Sequence, residues 1–298
     1  MTLLWLFFAV DWSSLAPLPQ AQAGAAVARL GETMVVAGGT HWEGGQKLWL
    51  ADVQVYDLRG RQWRPGPALP EKLAYGPFIA GSDRLEIFGG SPNSRTIWRF
   101  ESQRWTKAGE TPSVHILGRA ARVGKRVFLF GGCGEVGDLA TCSDAVWMRE
   151  GEGVWRQVAK LPGGAVALSA VAVTGQQIFL FGGCAFNGQI VNRAEAWRFD
   201  PRTFEFHRLR DLPAKNRGLT ATAVAGRIWL FGGYTSEFTA AVFTYDPARD
   251  TYTSETPLPV AMSSIEFIVR GGELIGTGGE DRMKGRSGRT FIGRLKKR

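Results

Sequence analysis

Apolar residues fall in short unbroken runs along this chain rather than in alternation, as in Met34-Val35-Val36-Ala37, Phe128-Leu129-Phe130 and Trp229-Leu230-Phe231. Runs of this length bounded by glycine and proline predict strands. Their continuity predicts strands buried on both faces, as in stacked sheets. Each run enters a glycine pair, beginning at Gly38, Gly89, Gly131, Gly182, Gly232 and Gly278. A proline (Pro19, Pro70, Pro112, Pro162, Pro213 and Pro259) stands 19 or 20 residues before each pair. Repeats of 42 to 51 residues predict a propeller or a solenoid. An aromatic closes each unit (Trp63, Trp105, Trp155, Phe206, Tyr252), seven residues before the next proline. Tyr56, Phe199 and Tyr245 lie seven residues earlier still, and Asp-Leu-Arg-Gly or Asp-Pro between the two aromatics predicts a hairpin turn. Each unit is therefore four strands, named a to d from the ring axis outward.

The glycine pair, the spaced aromatics and the Leu-Pro turn together resemble the kelch repeat over nearly the whole chain. The expected fold is all-β, a six-bladed kelch-type β-propeller forming one domain over residues 1–298. Trp12 also lies seven residues before a proline, and the chain ends 19 residues after Gly279, enough for strand c of the last unit but not strand d. The segment around Val10 to Leu15 is therefore expected to supply the outer strand of the last blade, leaving no open sheet edge at the seam.

With 298 residues, 44% of them hydrophobic, the chain can bury a large core. Its net charge of +9 is concentrated in the last 19 residues, which hold eight Lys or Arg against two acids. A nucleic-acid binder would interleave such a patch with exposed aromatics. Here the aromatics keep register with the repeat and belong to the core, so no nucleic-acid partner is expected. Met1 to Val10 imitate the apolar core of an export signal, and Ala21-Gln22-Ala23 imitates a cleavage site, but no Lys or Arg precedes them. The run is too short to span a bilayer. It either extends the closing strand or is the remnant of an export signal, so cytoplasmic and exported locations both stay open. Cys133 and Cys142 bracket one loop and could form a disulfide, or remain reduced with Cys184, which holds the position of Cys133 one blade on.

Length varies almost entirely after the glycine pairs. From second glycine to closing aromatic the gaps are 24, 15, 23, 23 and 19 residues. These b–c loops and the d–a turns open on one face, here the upper face, and variable loops on a rigid scaffold are where function sits. The candidate residues there are His41, Tyr75, Arg119, Arg193, Arg217, Glu280 and Arg286. Several arginines around an axial pocket suit a carboxylate, which guanidinium binds bidentately. Gly118 to Lys125 imitates a phosphate loop, but its register makes it an a–b hairpin, and there is no G-x-S-x-G motif. Copper-radical oxidases share the repeat but need a histidine pair, whereas His41, His115 and His207 lie in three different units.

Three stretches carry a narrower resemblance: Ala37-Gly38-Gly39 through Trp42-Glu43-Gly44-Gly45-Gln46-Lys47; Leu69-Pro70 with Leu73-Ala74-Tyr75-Gly76; and Gly278-Gly279-Glu280 with Arg286-Ser287. They resemble the N-acetylneuraminate epimerases, or sialic acid mutarotases, and their cyclically permuted relatives. The resemblance implies an isomerase acting on the anomeric centre of a small anionic sugar, without cofactor or metal. It implies Glu280 and Arg286 as the catalytic pair, with His41, Tyr75, Arg119, Arg193 and Arg217 around the substrate. The competing expectation is a non-catalytic kelch scaffold binding a peptide, protein or glycan through the same face.

Overall fold

The computed structural model describes residues 8–297. Six four-stranded antiparallel sheets surround an axis. Blade I holds strands Ala26–Leu30, Thr33–Ala37, Val53–Asp57 and Gln62–Pro65, and blade II holds Phe78–Ala80, Arg84–Gly90, Ser94–Glu101 and Arg104–Glu110. Blades III, IV and V begin with Arg119–Val123, Ala170–Thr174 and Thr220–Val224. Blade VI is Glu266–Arg270, Glu273–Thr277, Thr290–Lys297 and, from the other end of the chain, Phe8–Ser14. Trp12 stands opposite Gly293 there, its ring 6.4 Å from Phe231 and 6.1 Å from Phe267. The six innermost strands touch in a closed cycle, with blade VI against blade I. The expected export-signal segment lies, over Met1 to Phe7, outside the described residues.

The glycine pair has a specific steric cause. At Gly131 (φ 56°) and Gly132 (φ 89°) the chain turns in the left-handed region. A Cβ on Gly131 would sit 2.5 Å from the Val166 carbonyl oxygen, and the Gly132 N–H donates to that same oxygen at 3.1 Å. Val166 belongs to the turn leading into the next blade, so the pair locks neighbouring blades together, and only glycine fits. The closing aromatics do the same at the rim. Trp63, Trp105 and Trp155 donate their indole N–H groups to the carbonyls of Ala16, Pro67 and Glu110 in the preceding blade's exit turn, at 2.8, 2.9 and 2.9 Å.

Two features of the axis position everything that follows. A chain of five backbone hydrogen bonds circles it at the upper end. Tyr75 donates to Gly24, Leu117 to Tyr75, Leu168 to Leu117, Gly218 to Leu168 and Ser264 to Gly218, all between 2.7 and 2.9 Å. Below this girdle lies a cavity of about 580 Å³ lined by the innermost strands and reaching down to Gly81 and Gly124 in the a–b turns of the lower face.

Candidate functional site

Beyond each of three glycine pairs the chain makes an extra two-stranded hairpin that stands off its blade: Thr40–Glu43 with Gln46–Trp49, Cys133–Glu135 with Asp138–Cys142, and Cys184–Phe186 with Ile190–Asn192. A disulfide joins Cys133 and Cys142 directly across the second of them, while Cys184 is a free, buried thiol. These hairpins and the loop 280–289 of blade VI crown the upper face.

Near the axis the structure brings together three of the expected residues. The Arg286 Nη1 lies 2.8 Å from Glu280 Oε1 and donates to the Gly285 carbonyl at 2.8 Å. Its Nη2 donates to the Tyr75 hydroxyl and its Nε to Thr40 Oγ1, both at 3.0 Å. Thr40 and Tyr75 share a further hydrogen bond of 2.8 Å, and the guanidinium stands 6.0 Å from the Trp42 ring. Lys47 Nζ lies 4.6 Å from the Tyr75 ring. Burial pushes the Glu280 carboxyl above the usual carboxylate range, and Arg286, Lys47 and Arg217 pull it back down.

This cluster occupies the seam. Arg286 belongs to blade VI, Thr40 to blade I and Tyr75 to the turn entering blade II, and the girdle of backbone bonds runs around every blade boundary but that between VI and I. Each nitrogen of Arg286 is engaged within the protein, so the guanidinium works first as a brace across the boundary between blades VI and I.

The other expected residues are dispersed. Arg217 stacks on Tyr234 at 4.3 Å and donates to Asn192 at 2.6 Å, within electrostatic reach of Glu280. Arg193 holds the Gly163 carbonyl at 2.7 Å. His41 Nδ1 lies 2.7 Å from the Ala21 carbonyl. Arg119 lines the axial cavity beneath the girdle rather than the upper face, and its Nε donates to the Ser169 carbonyl. The seven residues therefore do not converge on one pocket.

What the sequence reading missed is apolar. Large hydrophobic side chains stand exposed at Leu48 (37%), Phe186 (44%), Ile190 (51%) and Met283 (73%), all on the first and third hairpins or the blade VI loop. Beside Leu48 a groove of about 610 Å³ runs between blades I and II, lined by Lys47, Leu48, Trp49, Glu71, Pro92 and Ser94. Loop length marked these segments. Side-chain exposure did not show in the sequence, because a hairpin folding back onto its blade would have the same composition.

Fold and repeat define the class: a six-bladed β-propeller of kelch type. The kelch motif model matches residues 23–70 and 165–213, the repeats of blades I and IV. The chain is similar to Kelch-like protein 35 of Mus musculus, 29% identical over 270 residues, covering 87% of this chain and 45% of the relative. Kelch-like protein 34 of Homo sapiens is 29% identical, covering 93% of this chain and 45% of the relative. Kelch-like protein 25 of Xenopus tropicalis is 26% identical, covering 85% and 44%. The chain thus spans less than half the length of these curated relatives.

These matches overturn the expectation of a sialate mutarotase. The relatives are Kelch-like proteins rather than epimerases, and the likeness to the mutarotases rested on short loop stretches. Leaning toward an enzyme has no support from them, nor has an anionic sugar as ligand. The reading of Glu280 and Arg286 as a catalytic pair depended on that resemblance and is not carried further. Among the described residues no helix is long and apolar enough to cross a membrane.

Proposed function

We propose that the chain is a binding scaffold whose upper face takes a segment of a partner protein. The observation that carries this reading is the distribution of exposed apolar side chains. Of the five large ones among the described residues, Val154 lies on a c–d turn, whereas Leu48, Phe186, Ile190 and Met283 rise from the segments beyond the glycine pairs. Single exposed apolar residues are ordinary, but several on the variable loops of one face mark a place where a partner buries them. Lys47, Glu280 and Arg217 lie inward of them, and charged groups ringed by apolar contacts set register and selectivity more than affinity. The matched Kelch-like relatives support a protein partner over a metabolite.

Selection from a displayed peptide library tests this. Peptides enriched on the wild-type protein are expected to lose binding tenfold or more when Leu48, Phe186, Ile190 and Met283 are all changed to Ser, since a few buried anchors dominate such interfaces. Enriched peptides that bind the quadruple variant unchanged would contradict the assignment of this face.

A further inference from the structure

The axial cavity carries a second, unassigned site. Twelve residues before each glycine pair, at the start of strand a (one residue before it in blade II), one residue holds the same register in every blade: Ala26, Pro77, Arg119, Ala170, Thr220 and Glu266. Two of the six are charged, with opposite signs, and they come from blades III and VI, three blades apart and so on opposite sides of the ring. Both line the cavity of about 580 Å³. They form no ion pair with each other, and among the described residues nothing donates a hydrogen bond to the Glu266 carboxylate. Arg119 gives only its Nε, to the Ser169 carbonyl at 2.5 Å, leaving its two terminal nitrogens for the cavity.

Other charges near the channel are already satisfied. Arg122 is paired with Glu86, and Arg29, at the lower mouth, with Glu32 at 3.2 Å. Burial with no donor pushes the Glu266 carboxyl up to about 7, with Arg119 the one group opposing it. Between the two charges the walls carry the small side chains of Ala120, Ala170, Ala172 and Ala221 together with Thr220 and Thr222, and Phe267 lies beside Glu266. The girdle above narrows the upper end, and the lower end opens between the a–b turns.

We propose that this channel receives a small zwitterion from the lower face, an amino acid or short peptide with its ammonium on Glu266 and its carboxylate on Arg119. A ligand with one charge would leave the opposite group desolvated and unpaired, which is costly in a confined cavity. A ligand with both charges satisfies both residues at no net charge, and small apolar side chains suit the alanine walls. Like many small-molecule sites, the channel is a concavity in which a few polar groups converge between small side chains.

The probe is the dipeptide Ala-Ala, with N-acetyl-Ala-Ala and Ala-Ala-amide as partners that each lack one charge, titrated calorimetrically into the wild-type protein. Binding of Ala-Ala, at least tenfold weaker for each blocked form, is expected, since a charge-assisted hydrogen bond contributes more than a factor of ten. Glu266→Gln should weaken Ala-Ala and leave Ala-Ala-amide unable to benefit from its ammonium, whereas Arg119→Gln should make Ala-Ala and Ala-Ala-amide bind alike. No binding of Ala-Ala at millimolar concentration, or equal binding of all three peptides to the wild type, overturns the proposal. The blocked peptides decide the matter on wild-type protein even if a variant fails to fold.

Discussion

His115 was one of three histidines that could have carried chemistry, and its surroundings give it another task. It is buried, its Nδ1 lies 3.0 Å from the Gly131 carbonyl and its Nε2 lies 3.2 Å from Ser113 Oγ. A carbonyl only accepts, so Nδ1 carries a proton and donates it to Gly131. Gln22 and Asn216 occupy the same place in blades I and V, 16 residues before the pair, and donate to the Gly38 and Gly232 carbonyls at 3.0 and 2.9 Å. In the alternating blades the position is Leu73, Val166 and Met262, all buried. Three different side chains thus brace three glycine turns. Burial holds the His115 imidazole below its ordinary value of 6.5. The unfolded chain binds the extra proton, so stability is full above about 6.5 and falls as pH drops from there toward the depressed native value. Urea unfolding at pH 7.5 and 5.5 should show His115→Gln folding with near wild-type stability at the higher pH and losing less than the wild type at the lower. His115→Ala, which orphans the Gly131 carbonyl, should cost about 2 kcal/mol at pH 7.5. An identical pH dependence in wild type and Gln variant would show that His115 is not the group responsible.

At the scale of strands and turns, the repeat is a set of latches between neighbouring blades. The closing aromatic of one blade reaches the exit turn of the one before it in every blade but IV, where Phe206 has no donor. Tyr252 reaches the Arg210 carbonyl at 2.9 Å, and Trp12 the Thr256 carbonyl at 3.4 Å. The c–d hairpins are pinned by aspartates. Asp57 Oδ1 accepts from the N–H groups of Arg59 and Gly60, and Asp200 Oδ1 from Arg202. Replacing Trp105 with Phe keeps the ring against Phe100, 4.8 Å away, and removes the bond to Pro67. A loss of about 1 kcal/mol is expected by chemical denaturation, the typical worth of one hydrogen bond. A change within a few tenths would mean that the rim is held by ring packing alone. Much of this was legible beforehand, because the latches act at fixed sequence distances: the seven-residue interval before each proline marked the aromatics, and Trp12 in that register marked the closing strand. Glu266 could have been found the same way, as the one acid at a position where the other blades carry Ala, Pro, Thr or Arg. The same register marks Arg119, but sequence spacing could not show that Arg286 is consumed by Thr40, Tyr75 and Glu280, since those contacts join blades from opposite ends of the chain.

For the whole molecule, ring closure decides which surface is free. Lower turns and blade rims are short and latched, and the seam is braced by Arg286, so variation is left to the hairpins and loop of the upper face. The resemblance to mutarotases read those loops as a catalytic pocket. The structure instead raises them as hairpins carrying exposed apolar side chains around a polar centre, the surface we propose takes a partner segment. The most direct measurement is amide hydrogen exchange of the protein with and without a library-selected peptide. Protection confined to residues 40–49, 184–192 and 280–289, with the a–b turns unchanged, is the predicted footprint. Protection centred on the a–b turns around Gly31, Gly81 and Gly124, with those three loops unaffected, would contradict it.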